Sequence, residues 1–346
     1  MTTRHPSSPR IVLAGSVNSS RLTLEALLRH NTELVGVLGL PIPQDEAGGS
    51  RVDLVPLAES RGVPARHFSH INDDDVFRQV VDWAPDLLMV VGLSQMVDDR
   101  LLAVPRLAPV GYHPTALPRG RGRAPIAWLA HDGGEGAATF FVMTKEADAG
   151  GILVQEAFDV PEEAYAQDVV AVQSDAIDRA LDRWLPRLVA GWWDPEPQDE
   201  SLATWNGRRG PADGLIDWSE SADEIARQVR TASRPHPGAY THCGGDKLIV
   251  WRARVERSLP IRGTVGRVLM VTNDQVLVQA ASGLVWLEET EGPNRPRVGQ
   301  RLGFVVDNEL ARLRDRVAML EKLLGDMTTT GARSQPSEGR TEGRAA

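Results

Sequence analysis

Residues 10–39 contain RIVLAG (10–15), then RLTLEALLRH (21–30), then ELVGVLG (33–39). The two outer runs are short and apolar and end in glycine, which is typical of buried parallel strands that feed a turn. The middle run carries leucines at helical spacing, so the three runs predict a strand, a helix and a strand with a right-handed crossover. The turn after the first strand lacks the G-x-G-x-x-G pattern, and NAD binding is therefore not predicted.

Neighbouring runs extend this unit into a larger sheet. Residues 85–92 and 107–113 each predict a further buried strand, and residues 165–188 carry apolar side chains at helical spacing. Ligands of such sheets bind beyond the carboxyl ends of the strands, which makes 92–96 a candidate binding edge. We predict an α/β fold with a Rossmann-like, mostly parallel sheet over residues 9–190.

The pattern changes after residue 190. Residues 191–218 are rich in proline and acid and predict a linker, and residues 219–306 contain short β runs with glycine turns, which predict a small OB-like barrel. Residues 307–326 predict a helix with a short heptad seam, for which homodimerisation and docking on the protein's own body are both open. Residues 327–346 are polar and predict a disordered tail.

Composition restricts the class of protein. The 346 residues include 42% apolar side chains, one cysteine and a formal charge of −9. No secretion signal and no apolar run of about 18 residues is present, so we expect a cytoplasmic protein without a membrane partner. Because phosphate binding requires positive charge, the net negative charge argues against a nucleic-acid partner.

Reactive residue types concentrate in GYHPTALPRGRGRAP (111–125) and ADAGGI (147–152). His113 lies near the end of a predicted strand and can act as a general base near neutral pH if a partner orients it. Asp148 has small neighbours that let a ligand approach, and it is the predicted partner. Each residue taken alone is more easily explained as structural, and the pair is what favours catalysis.

These motifs carry a resemblance. The pattern H-P-x-x-L-P-x-x-R-G-x-x-P-I from His113, together with D-x-G-x-I from Asp148, resembles the formyltransferases that use N10-formyltetrahydrofolate. The segments 213–219 and 230–239 also resemble the part that joins the catalytic domain of the methionyl-tRNA and amino-sugar-nucleotide members to their small β domain.

The resemblance implies transfer of a formyl group from the folate to an amine through a tetrahedral intermediate. It implies that His113 assists proton transfer or stabilises the developing charge, and that Asp148 holds it and relays protons. It implies no metal. The folate would lie against two segments, with Val90, Gly92, Leu93 and Met96 in the first and Ala147 and Gly150 in the second.

One position departs from the family pattern. Gly111 stands where the family has an asparagine that donates to the oxyanion, and losing such a donor costs other enzymes about 2.7–4 kcal/mol. We expect Ser94, Gln95 or an ordered water to replace it. A chemistry that is altered or lost is the other expectation.

The acceptor is predicted from charge. The loop 41–50 contains Asp45 and Glu46 and no basic residue, unlike the basic insertion of the tRNA-specific members. Arginine suits bidentate binding of phosphates and carboxylates, so we predict a small acceptor, an amino sugar joined to a nucleotide. Its rivals are methionyl-tRNA, water in a formyltetrahydrofolate hydrolase, and no acceptor at all in a non-catalytic binding protein. The predicted acceptor-binding residues are Arg119, Arg121, Arg123 and Arg208.

Overall fold

The computed structural model of the protein describes residues 3–4, 8–42, 51–303 and 306–331, with side chains for all of these except 3–4, 306–309 and 325–331. Most of the acidic loop 41–50 and most of the predicted tail lie outside the described residues. In the first part of the chain the elements are β1 (Thr3–Arg4), β2 (Arg10–Gly15), α1 (Asn18–Arg29), β3 (Glu33–Gly39), α2 (Val55–Glu59), β4 (Ala65–His67), α3 (Asp74–Trp83), β5 (Leu87–Val91), α4 (Asp99–Leu102), β6 (Ala108–His113), β7 (Arg121–Gly122), α5 (Pro125–Asp132), β8 (Gly134–Val142), β9 (Ile152–Val160) and α6 (Ala166–Val189).

A seven-stranded sheet organises this part, in the order β4-β3-β2-β5-β6-β8-β9. Strands β2 to β6 all run parallel to one another. At one edge β8 pairs antiparallel with β6, and β9 pairs antiparallel with β8. The chain first adds β3 and β4 on one side of β2 and then crosses to the other side of β2 to form β5. Open α/β sheets form a ligand crevice at such a point. There the Ser20 hydroxyl on α1 donates to the Val91 carbonyl at the end of β5, at 2.6 Å.

Apolar residues cover both faces of the sheet, which explains the uninterrupted apolar runs of its strands. Along β2, Ile11 and Leu13 pack into the core shared with α1 and α6, while Val12 faces the separate core under α3. Because these side chains are fully buried, the sheet is a rigid platform for the loops at its edge.

The segment after α6 is more ordered than a linker. It forms β10 (Trp192–Trp193), which pairs with β1, and β11 (Trp205–Asn206), which pairs in parallel with β7. Two short 3₁₀ turns at 200–202 and 211–214 complete it. The segment is therefore hydrogen-bonded to the first part of the chain along much of its length.

The last part is a small β unit preceded by a helix. Five antiparallel strands form a sheet in the order β12-β13-β16-β15-β14, and bridges from residues 301 and 302 to Arg267 and Cys243 tie its two edges together. Tyr165 joins the unit to the first part, because its hydroxyl donates to the Ala253 carbonyl and accepts from the Ala253 amide. The elements are α7 (Ala222–Ala232), β12 (Ala239–Cys243), β13 (Asp246–Glu256), β14 (Val268–Thr272), β15 (Gln275–Gln279), β16 (Leu284–Glu291) and α8 (Val306–Gly331).

The predicted α/β fold class with its small β unit and final helix is confirmed. The structure adds α4 and β12, which the sequence patterns did not single out, and it extends α8 to Gly331, past the predicted end at 326. Within the residues that the structure describes, no helix is long and apolar enough to cross a membrane.

Candidate active site

His113 is the last residue of β6, and its ring lies almost entirely inside the protein. Its Nε2 is 2.9 Å from the Gly120 carbonyl oxygen. Since a carbonyl can only accept, Nε2 carries a proton in this arrangement. The other ring nitrogen, Nδ1, is thereby left to accept a proton or to interact with an anion.

The loop after β6 is held by threonines in the buried surroundings of the ring. Thr139 on β8 donates to the Thr115 carbonyl at 2.7 Å, and Thr115 donates to the Arg119 carbonyl at 2.8 Å. Gln155 on β9 donates to the Leu117 carbonyl at 3.0 Å. These bonds fix the carbonyl of Gly120 that orients His113.

Asp148 lies in the connection between β8 and β9, and its Oδ2 is 3.7 Å from His113 Nδ1. The same oxygen accepts from the Gly122 amide at 2.8 Å. Asp148 has a backbone φ of 56°, a left-handed conformation that is uncommon for residues other than glycine and found at functional sites. The two predicted catalytic residues therefore meet.

Gly150 explains the shape of this connection. A Cβ on Gly150 would run into the carbonyl oxygen of Val142, so only glycine lets the chain turn back so closely. The turn presents Asp148 to the ring of His113.

Arg121 does not lie where the acceptor prediction places it. Its side chain is 0% exposed, and its guanidinium binds both carboxylate oxygens of Glu200 at 2.7 and 2.8 Å. It also donates twice to Gln198 Oε1, at 2.8 and 3.2 Å. The hydrogen bond from Arg121 lowers the pKa of the Glu200 carboxyl. With its donors committed inside the protein, Arg121 is a poor candidate for direct contact with an acceptor.

The other predicted acceptor residues lie at the surface. Arg119, Arg123 and Arg208 are exposed, and the last two follow the paired residues of β7 and β11 by one and two positions. The rim formed by these two short strands therefore carries exposed positive charge, beside the half-exposed indole of Trp205.

The predicted folate-binding residues fall into two neighbouring groups. Val90 is buried in β5, Gly92 and Leu93 are half-buried after it, and Met96 is 74% exposed. Ala147 is exposed and Gly150 is buried on the other side of Asp148. Near these groups, Lys145 and Asp99 form an ion pair at 2.9 Å that joins the segments carrying them.

Phe141 occupies the space beside Gly111. A Cβ at Gly111 would be 2.8 Å from Phe141 Cζ, which is closer than such atoms approach, and 3.0 Å from Met143 Cγ, which is a tight contact. Phe141 is only 3% exposed. An asparagine at position 111 would therefore require Phe141 to shift within its buried surroundings.

Gln95, one of the proposed replacements for that asparagine, is used elsewhere. Its Oε1 accepts from the Ile71 amide at 2.7 Å and its Nε2 donates to the Ser69 carbonyl at 2.8 Å. The prediction that Gln95 serves the oxyanion does not fit this arrangement. Ser94 is exposed in the same loop and is the remaining side chain of the two.

Sequence reasoning missed the residues that support the pair. Gln198 donates from Nε2 to the carbonyl oxygens of Asp148 and Gly150, at 2.7 Å in each case. Thr204 accepts from the Gly120 amide at 2.8 Å. Both belong to the segment that was predicted as a linker, and no local pattern distinguishes them from surface residues.

The pair resembles an acid–base dyad whose two members are held by backbone groups, His113 by the Gly120 carbonyl and Asp148 by the Gly122 amide. An imidazole with one nitrogen fixed and the other facing a carboxylate can take up, hold and return a proton. Such a site suits acyl transfer to a nitrogen, in which a proton must leave the nucleophile and another must reach the leaving group.

Comparisons with known proteins agree with this chemistry. A family model described as formyl transferase matches residues 47–183, and one described as formyl transferase, C-terminal domain, matches residues 209–301. The chain is also 30% identical to the methionyl-tRNA formyltransferase of Geobacter metallireducens over 294 residues, which are 83% of this chain and 92% of that protein. The chain belongs to the formyl transferase family, which confirms the resemblance.

Solved structures share the fold. HypX from Aquifex aeolicus in complex with tetrahydrofolic acid has a TM-score of 0.59 at 18% identity, covering 83% of this chain and 45% of that one. This chain thus spans less than half of HypX. An N-formyltransferase from Helicobacter canadensis in complex with folinic acid and dTDP-3-aminofucose has a TM-score of 0.60 at 12% identity, covering 81% and 99% of the two chains. These identities are too low to transfer a substrate.

Proposed function

We propose that this formyltransferase moves the formyl group of N10-formyltetrahydrofolate to the primary amine of a small acceptor, an amino sugar joined to a nucleotide. The observation that carries the reaction is the facing pair of His113 Nδ1 and Asp148 Oδ2, with the far side of the ring fixed by Gly120. Formyl transfer to nitrogen needs this kind of proton handling inside a pocket.

The reaction balances around this pair. The amine attacks the formyl carbon, a carbon–nitrogen bond forms, and the carbon–N10 bond of the folate breaks. The proton lost by the amine passes to Asp148, from Asp148 to His113 Nδ1, and from Nδ1 to N10, so both residues return to their starting protonation states. Burial strengthens the electrostatic contribution of both groups, because little water screens them.

The oxyanion of the tetrahedral intermediate needs donors other than a side chain at position 111. A protonated His113 Nδ1 is one, and the hydroxyl of Ser94 is our candidate for the other. A Ser94→Ala variant should lower kcat, while an unchanged kcat would assign the second donor to water or to a backbone amide.

For the folate, the chain offers an apolar edge beside backbone groups. Leu93 and Met96, which follow the buried Val90, present apolar surface to a flat ring, and the turn around Ala147 and Gly150 presents peptide groups to its hydrogen-bonding edge. This set fits a pteridine, which is planar and polar along its rim. The folate supplies the activated formyl group.

For the acceptor, the exposed arginines favour a phosphate-bearing molecule. Arg119, Arg123 and Arg208 provide donors at the rim formed by β7 and β11. The overall charge of −9 and the acidic residues Asp45 and Glu46 weigh against a long polyanion. Methionyl-tRNA is the second candidate, because a relative with 30% identity over 92% of its length carries that name.

A panel of acceptors tests the function directly. The protein is incubated with N10-formyltetrahydrofolate and either nucleotide-linked amino sugars, free amino sugars or methionyl-tRNA, and products are identified by mass spectrometry. We expect a formylated nucleotide-linked sugar. Formylated tRNA with a steep salt dependence would select the second candidate, formate without any amine product would indicate a hydrolase, and folate binding without turnover would indicate a non-catalytic protein.

We also propose that α8 pairs with α8 of a second copy in parallel. Side chains on one stripe of the helix are exposed, including Leu313, Val317 and Leu320, and Arg316 and Glu321 flank it at positions whose opposite charges meet across a parallel pair. Sedimentation should show a dimer that Leu320→Glu disrupts and that the control Met319→Glu, off the stripe, leaves intact. A monomeric parent protein would refute the pairing.

A further inference from the structure

We propose that Gln198 is a positioning residue, which holds the turn bearing Asp148 in its catalytic conformation and connects it to the segment between the two parts of the chain. The inference rests on the proposed function insofar as Asp148 acts in catalysis. The placement of Gln198 does not depend on which amine is the acceptor.

The amide of Gln198 is used at both ends. Its Nε2 donates to the carbonyls of Asp148 and Gly150, and its Oε1 accepts from the Arg121 guanidinium. A primary amide has two N–H donors, and here both are directed to the same turn. The turn therefore gains two bonds from a residue 48 and 50 positions further along the chain.

Arg121 fixes the orientation of that amide. Because the guanidinium can only donate, it selects the oxygen of Gln198 and forces the nitrogen toward the turn. Glu200 in turn holds the guanidinium with two bonds, and the Trp205 ring lies 5.5 Å from the guanidinium carbon. A buried arginine in such a network is positioned far more firmly than an exposed one.

The backbone of the same segment completes the arrangement. The Arg121 amide donates to the Thr204 carbonyl at 3.0 Å, and β7 pairs with β11. Gly122, the second residue of β7, donates the bond that Asp148 Oδ2 accepts. Asp148 is thus held by its carboxylate through β7 and by its carbonyl through Gln198, and residues 198–206 organise both contacts.

The left-handed backbone of Asp148 explains why such support is needed. A residue other than glycine in this conformation costs about 1–3 kcal/mol unless its surroundings determine it. Without the bonds from Gln198, the turn could relax and move the carboxylate away from His113. Displacements of about 1 Å at a reacting group cost roughly 100-fold in rate.

The Gln198→Glu variant tests the donor end of the side-chain amide separately from its acceptor end. The oxygen facing Arg121 is retained, whereas the donors to the turn are replaced by an oxygen that faces two carbonyls. Gln228 provides the matched control, since its Nε2 also donates to two carbonyls, those of Asp213 and Leu215, in the last part of the chain. The pair Gln198→Glu and Gln228→Glu therefore makes the same chemical change at two places.

We expect Gln198→Glu to lower kcat by about 10- to 100-fold. The KM for the formyl donor should change by no more than about twofold, and the melting temperature should be close to that of Gln228→Glu. Gln228→Glu should keep the wild-type kcat. A kcat of Gln198→Glu within about threefold of wild type, or an equal loss in both variants, would overturn the inference.

Hydrogen exchange measured by mass spectrometry tests the positioning role of Gln198 without an activity assay. Gln198→Glu should speed exchange in peptides that cover 144–151 and 119–124, which contain the turn and the Gly122 amide, and Gln228→Glu should leave both at the wild-type rate. Unchanged exchange in the Gln198→Glu peptides would overturn the positioning role. Faster exchange in a protein that transfers no formyl group would support the positioning role and contradict the proposed function.

Discussion

Substituting Gly111 by asparagine restores the residue that the family pattern places there, and the structure predicts that the change is harmful. The new Cβ would lie 2.8 Å from Phe141 Cζ and 3.0 Å from Met143 Cγ. Phe141 is buried, so its ring cannot swing into solvent. Overpacking of this kind costs about 1–3 kcal/mol, and in a domain of about 180 residues each kcal/mol lowers the melting temperature by roughly 2–4 °C.

Thermal unfolding followed by circular dichroism measures the effect. Gly207→Asn is the matched control for stability, because nothing lies within 4 Å of a Cβ there. Combining Gly111→Asn with Phe141→Leu should cost less than the sum of the two single changes, since the smaller side chain makes room. If Gly111→Asn kept the wild-type melting temperature and raised the formyl-transfer rate, the packing argument would be refuted and the oxyanion site would be shown to accept an asparagine.

Three further outcomes follow from individual contacts. Arg121→Met should lower the free energy of unfolding in urea by about 1–3 kcal/mol, because it removes the hydrogen bonds of a buried guanidinium to Gln198 and Glu200. Arg187 and Asp194 form a surface pair, so Arg187→Met should change it by less than about 0.5 kcal/mol; equal losses would contradict the burial of Arg121. Gly150→Ala should destabilise the protein and lower kcat, and Gly210→Ala, where the nearest atom is 3.9 Å away, should do neither. Hydrogen bonds, led by those of the neighbouring Ser258, hold the pKa of Glu256 at about 2 instead of 4.5. The contribution of Glu256 to stability is therefore complete above about pH 4.5 and is lost as the pH falls toward 2. Melting curves of Glu256→Gln should differ from wild type at about pH 6 and converge near pH 2, and a difference that stays constant with pH would disprove this assignment.

Much of the fold follows from local pattern. The apolar runs that begin at Arg10 and Leu87 predict central strands because both faces of the sheet are covered, and the helix that ends at Val189 follows from its spacing. His113 and Asp148 were predicted as partners from residue type and small neighbours, and the structure places them 3.7 Å apart.

The surroundings of the site did not follow from pattern. Arg121 lies between glycines, which usually indicates a solvated loop, and its burial depends on Glu200, 79 positions away. The exclusion of a side chain at Gly111 depends on Phe141 across the strand pair. A contact between residues this distant in sequence, or across two strands whose register is unknown, leaves no periodic signal in a single sequence.

The ordering of the segment after α6 has the same cause. Proline and acidic residues there indicate an irregular chain, and the chain is indeed irregular. It is nevertheless bonded to Ile152 and Arg121 in the first part of the protein, and its end is bonded to Gln228 in the last part. Propensity describes the local conformation and not what the segment contacts.

The most direct test of the central claim is a single-turnover comparison of wild type with Asp148→Asn, using excess enzyme, N10-formyltetrahydrofolate and the acceptor that the panel identifies. Asparagine keeps the size of the side chain and an oxygen for the Gly122 amide, but it removes the charge that faces His113. We predict that the variant binds the folate as wild type does and forms the formylated amine at least about 100-fold more slowly. Formation of the product at the wild-type rate would contradict the assignment of proton transfer to this pair.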